Sequence, residues 1–240
     1  MRLFITGISH GVGLETTRHF LDKGDTVFGV SRSMSPQLEH LMENNPGRLV
    51  WHSVDLGETD ELESRLANLF SLDDNPIDAF VDNAALLYKD LTHRIDSRQW
   101  TCMANVDIVA PVIVTKLMIR NFLHFRTKGS IVHLSSICAH RAFVGLSLMG
   151  AAKAAIEAFS RTTAMEYGRF GIRSNTVVGG LLDVGMASSV NDRLAQELID
   201  VSSIHQLVDI HSVVDMIDYL VSDRSCCITG QNIHIDCGIV

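Results

Sequence analysis

Short apolar runs alternate with amphipathic stretches of helical length along almost the whole chain, and this alternation restricts the possible fold more than any other feature. The runs cover residues 3–6, 27–30, 49–54, 77–81, 130–134, 172–178 and 232–235, each short enough for a strand buried on both faces. Between them lie periodic segments such as 12–23, 58–71, 149–167 and 211–221. Strands separated by helices have to pair in parallel, because each connection crosses back over the sheet and lays its helix on one face. The expectation is a single doubly wound α/β domain over residues 1–240, with a seven-stranded, mostly parallel sheet. Pro36 and the serines around it read as a short punctuated loop, and residues 179–189, rich in small side chains, as another.

Composition narrows the classes of function. With 46% hydrophobic and 20% charged residues the chain is too apolar for disorder. Its net charge of −8 argues against a nucleic-acid partner, which calls for a basic face. No stretch reaches the roughly eighteen uninterrupted apolar residues of a membrane span, and the N-terminus lacks a signal peptide's order of basic, apolar and small residues, so no membrane partner and a cytoplasmic location are expected. Cys102, Cys138, Cys226, Cys227 and Cys237 are odd in number and show no C-x-x-C spacing, which suggests neither a disulfide framework nor zinc. The eleven histidines form no H-x-x-x-H pair with an acid between them, so no metal is expected.

In an open parallel sheet ligands bind beyond the carboxyl ends of the strands, where the strand order reverses. The loop after the first strand reads Thr6-Gly7-Ile8-Ser9-His10-Gly11-Val12-Gly13 and leads into a helix. Its glycines allow a tight turn and close approach to a pyrophosphate, whose charge meets free N–H groups and the positive helix end. The spacing is T-G-x-x-x-G-x-G. Asp55-Leu56 follows the third strand, Asp82-Asn83-Ala84-Ala85 the fourth, Asn105 lies on the next helix, Ser135-Ser136 ends the fifth strand, and Lys153 follows on a helix. Ile228-Thr229-Gly230 and Asp236-Cys237-Gly238 close the chain. Taken together, these residues resemble the short-chain dehydrogenase/reductase family over essentially the whole chain.

The resemblance implies a Rossmann-type domain that binds a nicotinamide dinucleotide and acts on a small molecule. It puts Gly7, Ser9, His10, Gly11, Val12 and Gly13 on the phosphates, Asp55 and Leu56 on the adenine, and Asn83, Ala84, Gly180 and Leu182 along the cofactor, with residues 181–203 as a substrate lid loop. An acid at the end of the second strand would accept from a ribose 2′-OH and repel a 2′-phosphate. The residues there are Ser31-Arg32-Ser33, so Arg32 with its hydroxyl neighbours favours NADP(H) over NAD(H). The family also packs the helices containing Asn105 and Lys153 against a partner. Ala151, Ala152, Ala154, Ala155 and Ala158 are small enough for such contact, and a homodimer or homotetramer is expected.

In the family a serine orients the substrate oxygen, a tyrosine exchanges its proton, a lysine one turn later holds the nicotinamide ribose, and an asparagine anchors a relay water. Carried onto this chain, Asn105, Ser136 and Lys153 match, but the tyrosine position is Met149. A thioether is a weak acceptor with no proton to give. Gly179-Gly180 replaces a Pro-Gly, Val184 a threonine, and Ala85 a glycine, all on the nicotinamide side. Three readings follow. The chain reduces a substrate that needs no proton at oxygen, such as an enone; or Tyr88, His140 or, less suitably, Cys138 replaces the tyrosine; or the protein binds NADPH with little chemistry, as a sensor or as one subunit of a mixed oligomer.

Overall fold

The computed structural model describes residues 1–182 and 192–240. The seven expected strands form one sheet: β1 (Arg2–Thr6), β2 (Thr26–Ser31), β3 (Leu49–Ser53), β4 (Ala79–Asp82), β5 (Ser130–Ser136), β6 (Arg173–Gly179) and β7 (Asn232–Ile235). The spatial order is β3-β2-β1-β4-β5-β6-β7, and every neighbouring pair is parallel. The connections run one way from β1 to β3 and the other way from β4 to β7, so the order reverses between β1 and β4. The crevice at their carboxyl ends is the ligand position of such a sheet.

Successive strand residues enter different cores, as the period of two requires. Leu3, Ile5, Val27, Ala79, Val81 and Val132 face α1 (Gly11–Asp22), α2 (Pro36–Asn44) and α8 (Ile210–Val221). Phe4, Phe28, Val30, Phe80 and Ile131 face α3 (Leu62–Leu69) and α5 (Ala110–Phe125), with α6 (Ser147–Tyr167) covering β5 and β6 on the same side. On that side the Phe70 ring meets Phe4 and Phe28 edge-on, with centroids 5.1 and 5.9 Å away. Burial on both faces is why the strands read as unbroken apolar runs.

Three local expectations differ from the structure. Pro36 does not sit in a loop but opens α2: its ring presets the helical φ, and Ser35 caps the helix by accepting from the Leu38 N–H at 3.2 Å. Helix α3 begins at Leu62, later than residue 58, because Glu61 takes a left-handed backbone, φ 58°. The described part of the expected lid over residues 181–203 contains a helix, α7 (Asp192–Val201), while residues 183–191, with Val184 and most of the 179–189 loop, lie outside the described residues. Helix α4 (Ser97–Ala104) runs into α5 through one π-helical turn, Asn105–Val109. The combined run Ser97–Phe125 is long and apolar enough to cross a membrane by length and composition, yet 56% of its most apolar window is buried inside the molecule.

Candidate functional site

A cavity of about 310 Å³ opens at the carboxyl ends of the strands, bordered by the glycine turn, Arg32, Asp55, Asn83, Ser136, Met149 and Lys153. The glycine turn is held down by the Gly7 N–H, which donates to Val30 O at 2.8 Å. Gly7 has φ +73°, and a Cβ on it would meet Ala84 Cα at 2.9 Å. At Gly13 a Cβ would sit 2.2 Å from Gly7 O and 2.4 Å from Asn83 Nδ2. Gly11, at φ +57°, has nothing within 4 Å on its missing side chain's side, so its backbone is open to the cavity. Helix α1 starts here with no side-chain cap on its free N–H groups, because His10 turns its ring to Ser9, Nδ1 to Oγ 2.9 Å.

Arg32 is exposed at the end of β2, with no ion-pair partner among the described residues. Of its two serine neighbours only Ser33 is exposed: the Ser31 hydroxyl donates to Ser33 O at 3.0 Å and accepts from Trp51 Nε1 at 2.8 Å. Asp55 folds its own loop by accepting from the Gly57 N–H at 2.8 Å, beside the buried Leu56. Asn83 fastens β4 to β1, its Nδ2 donating to Thr6 O and Gly7 O, both at 3.0 Å. Thr6 Oγ1 accepts from the N–H groups of Asn83 and Ala84, both at 3.0 Å, and donates to Asp82 Oδ1 at 3.3 Å. Asp82 in turn bonds the fully buried His133, Oδ2 to Nδ1 2.9 Å. Gly180 lies so close to Asp236 that a Cβ would meet its Cα at 2.9 Å, and Leu182 bridges to Val208.

On the other half, the end of β5 brings Ser136 to the cavity and α6 brings Met149 and Lys153 one turn apart, as the i, i+4 spacing dictates. Ser136 Oγ accepts from the Cys138 N–H at 3.3 Å. Lys153 is 6% exposed; its Nζ donates to Leu134 O at 3.0 Å and lies 3.5 Å from Asp107 Oδ1. The π-helical turn gives Asn105 and Asp107 their directions. Asn105 Nδ2 donates to Gly57 O at 2.9 Å, while the Asp107 side chain, 0% exposed, accepts from the Leu86 N–H at 3.1 Å. Its other oxygen has no hydrogen bond, so the contact with Lys153 is an ion pair longer than a hydrogen bond. Burial pushes the Asp107 carboxyl above the usual range, with Lys153 and the Leu86 N–H opposing and Asp82 adding to the rise. A carboxyl raised in the folded state stabilises most below its unfolded pKa, and that contribution is lost as pH climbs through the folded value. Burial likewise raises the Cys138 thiol, against its hydrogen bond with Ser136, and keeps it neutral near pH 7.

The structure does not bring Tyr88 or His140 to the cavity wall. The Tyr88 hydroxyl accepts from the Asp96 N–H at 3.0 Å and lies 3.5 Å from Asp90, while His140 Nε2 is 3.0 Å from Glu157 Oε1. Glu157 is buried and also accepts from Ser135 Oγ and Asn232 Nδ2, each at 2.6 Å. Sequence reasoning missed Asp107. Its one trace in the sequence is that it is the lone carboxylate in the apolar stretch 106–115, which marks it as unusual without saying where it points.

Comparison with known proteins follows the same outline. A family model described as enoyl-(acyl carrier protein) reductase matches residues 7–240. The chain is 29% identical over 238 residues to the 3-oxoacyl-(acyl-carrier-protein) reductase of Chlamydia trachomatis serovar D, covering 98% of this chain and 95% of that protein. It is 29% identical over 244 residues to carbonyl reductase (NADPH) 2 of Sus scrofa, covering 99% and 96%. A variant of a Serratia marcescens short-chain dehydrogenase/reductase has a similar fold, with a TM-score of 0.90 at 21% identity over 99% of this chain and 97% of that one. The glycine turn, the reversal between β1 and β4, and these matches along nearly the full length agree: the chain is an oxidoreductase and belongs to the short-chain dehydrogenase/reductase family.

Proposed function

We propose that this protein is an NADP(H)-dependent reductase of small molecules, whose active site works without the family's tyrosine because Met149 stands at that position. The observation that carries this reading is that one cavity joins the uncapped N-terminus of α1 and Arg32 to Ser136, Met149 and Lys153. The chain's residues fit a dinucleotide phosphate: Gly11 leaves its backbone open, and the close approach of Gly7 and Gly13 keeps the turn tight. Ser9, His10 and Val12 complete that phosphate turn, Asp55 and Leu56 border the adenine, and Asn83, Ala84, Gly180 and Leu182 line the cofactor's path toward Lys153. When bound, the dinucleotide supplies or accepts hydride. Ser136 and Lys153 donate hydrogen bonds to a substrate oxygen, and Asn105, through its bond to Gly57, steadies the turn behind Lys153. For an activated alkene the hydride adds to the β-carbon and leaves an enolate, whose oxygen needs only stabilising in that step and whose α-carbon takes its proton afterwards from water or Lys153, so a cavity wall of this kind suits an enone better than a saturated ketone.

Arg32 supports the phosphate-bearing cofactor, as does the Sus scrofa relative named for NADPH. Arg32→Ala should weaken NADPH by about 1.5–3 kcal/mol, the worth of a charged hydrogen bond, and leave NADH nearly unchanged. Titration of both cofactors by nucleotide fluorescence reads the difference; equal weakening would refute the assignment.

We also propose that two copies pack through α5 and α6, forming a homodimer or a homotetramer. Ala151, Ala154 and Ala158 are exposed along one face of α6, Met165 is 85% exposed on the same helix, and Val109 and Val112 are exposed near the start of α5. Light scattering at micromolar concentration should give at least a dimer, and Ala154→Arg should shift it toward monomer. A monomeric wild type would count against the proposal.

A further inference from the structure

The two halves of the cavity differ in charge. His10, Arg32 and Asp55 all stand on the loops after β1, β2 and β3. The other half, among the described residues, is walled by Leu86, Leu87, Phe143, Leu146 and Met149, with Ser136 and Lys153 as its polar groups. Ser135 also reaches this wall, but its hydroxyl is donated to Glu157 at 2.6 Å. Lys153 is thus the one cation on this half among the described residues, and it is already balanced: Asp107, with a side chain 0% exposed, lies 3.5 Å behind it, where burial leaves the pair weakly screened. Leu134 O takes one of its protons at 3.0 Å.

On the reading of this cavity as a reductase site, we propose that it takes an uncharged, predominantly apolar substrate with a single acceptor oxygen, and that Asp107 sets this selectivity by cancelling the charge of Lys153. An anionic substrate would give up its hydration and find no net positive charge in return. A polyol would set its hydroxyls against leucine and phenylalanine side chains with only Ser136 and Lys153 to bond. A lone carbonyl oxygen matches those two donors: Ser136 Oγ already accepts from Cys138 N and keeps its own O–H to give. The thiol of Cys138 adds no charge, being neutral near pH 7. Asp107 touches none of the substrate in this arrangement and acts through Lys153, as a positioning residue.

The test compares two probes of one shape, 4-phenylbut-3-en-2-one and its para-carboxylate, bound to the full chain in isothermal titration with and without NADP⁺. The neutral probe should bind wild type at least about a hundredfold more tightly than the carboxylate, since the latter must desolvate an unmatched charge. Asp107→Asn keeps the size of the side chain and its bond to Leu86 while removing the charge, so it should move the ratio toward the carboxylate by about tenfold or more. A carboxylate that binds wild type as well as the neutral probe, a failure of both probes to bind with NADP⁺ present, or a ratio unmoved by Asp107→Asn would each overturn the proposal. Should Asp107→Asn fail to fold by circular dichroism, the wild-type ratio decides alone. Because binding is read without turnover, a protein that shows the selectivity yet oxidises no NADPH would sink the reductase reading and leave this one standing, whereas NADPH oxidation driven by the carboxylate would do the reverse.

Discussion

Met149→Tyr should raise ketone reduction by about ten- to a thousandfold, the range that a positioned general acid contributes. In barrier terms that is about 1.4–4 kcal/mol. Met149 lines the cavity one helical turn before Lys153 and on the same wall as Ser136, so a tyrosine hydroxyl grafted there meets the groups with which the family's tyrosine works. The wild type should instead oxidise NADPH faster with an activated alkene than with the matching saturated ketone, because a thioether has no proton to give at oxygen. Both rates follow from absorbance at the nicotinamide band with one purified protein. A wild type that reduces saturated ketones at ordinary rates, with no gain from Met149→Tyr, would show that another group already serves as the acid. Tyr88 and His140 would not be the first to examine, since their polar atoms are engaged with Asp96 and Glu157 away from the cavity wall.

Gly13→Ala should cost the protein its dinucleotide site. The new methyl carbon would fall 2.2 Å from Gly7 O and 2.4 Å from Asn83 Nδ2, and the first of these is backbone that cannot rotate away. The turn has to open, and overpacking of this kind costs about 1–3 kcal/mol in stability. Opening it also withdraws N–H groups from the phosphates. Losing two charged hydrogen bonds at about 1.5–3 kcal/mol each weakens NADPH by about 10²- to 10⁴-fold. Gly11→Ala is the informative control, because nothing lies within 4 Å of its absent side chain and only its φ of +57° resists substitution. Its cost should stay near the 1–2 kcal/mol of a left-handed residue. Calorimetric titration together with a thermal melt separates lost affinity from lost stability; equal effects of the two alanines would remove the steric argument.

Strands buried on both faces leave a plain trace in a sequence, which is why β1 to β7 could be read from apolar runs to within a few residues. The start of α2 could not, because Ser35 and Pro36 belong equally to a turn vocabulary and to a helix cap; only Leu38 and Leu41, packed under the sheet, separate the two. Residues tied to the chain's path through the crevice, such as Gly7, Asn83, Ser136 and Lys153, were legible because order and spacing carry them. Asp107 was hidden for a different reason: the π-helical turn shifts its side chain off the phase that helical periodicity predicts, and turns it toward Lys153. His140 was misjudged from nearness in sequence to Ser136. Its partner Glu157 is brought in by α6, and no local pattern announces a contact between segments that distant.

The hydroxyl of Thr6 joins three strands at one point, accepting from Asn83 and Ala84 and donating to Asp82, which holds His133 on β5. A crevice floor knotted in this way is preorganised. Ligand binding there need not freeze backbone that was loose beforehand, and so carries little ordering entropy from the protein side. A floor fixed in this way lets the contacts a cofactor makes there count almost in full toward its affinity.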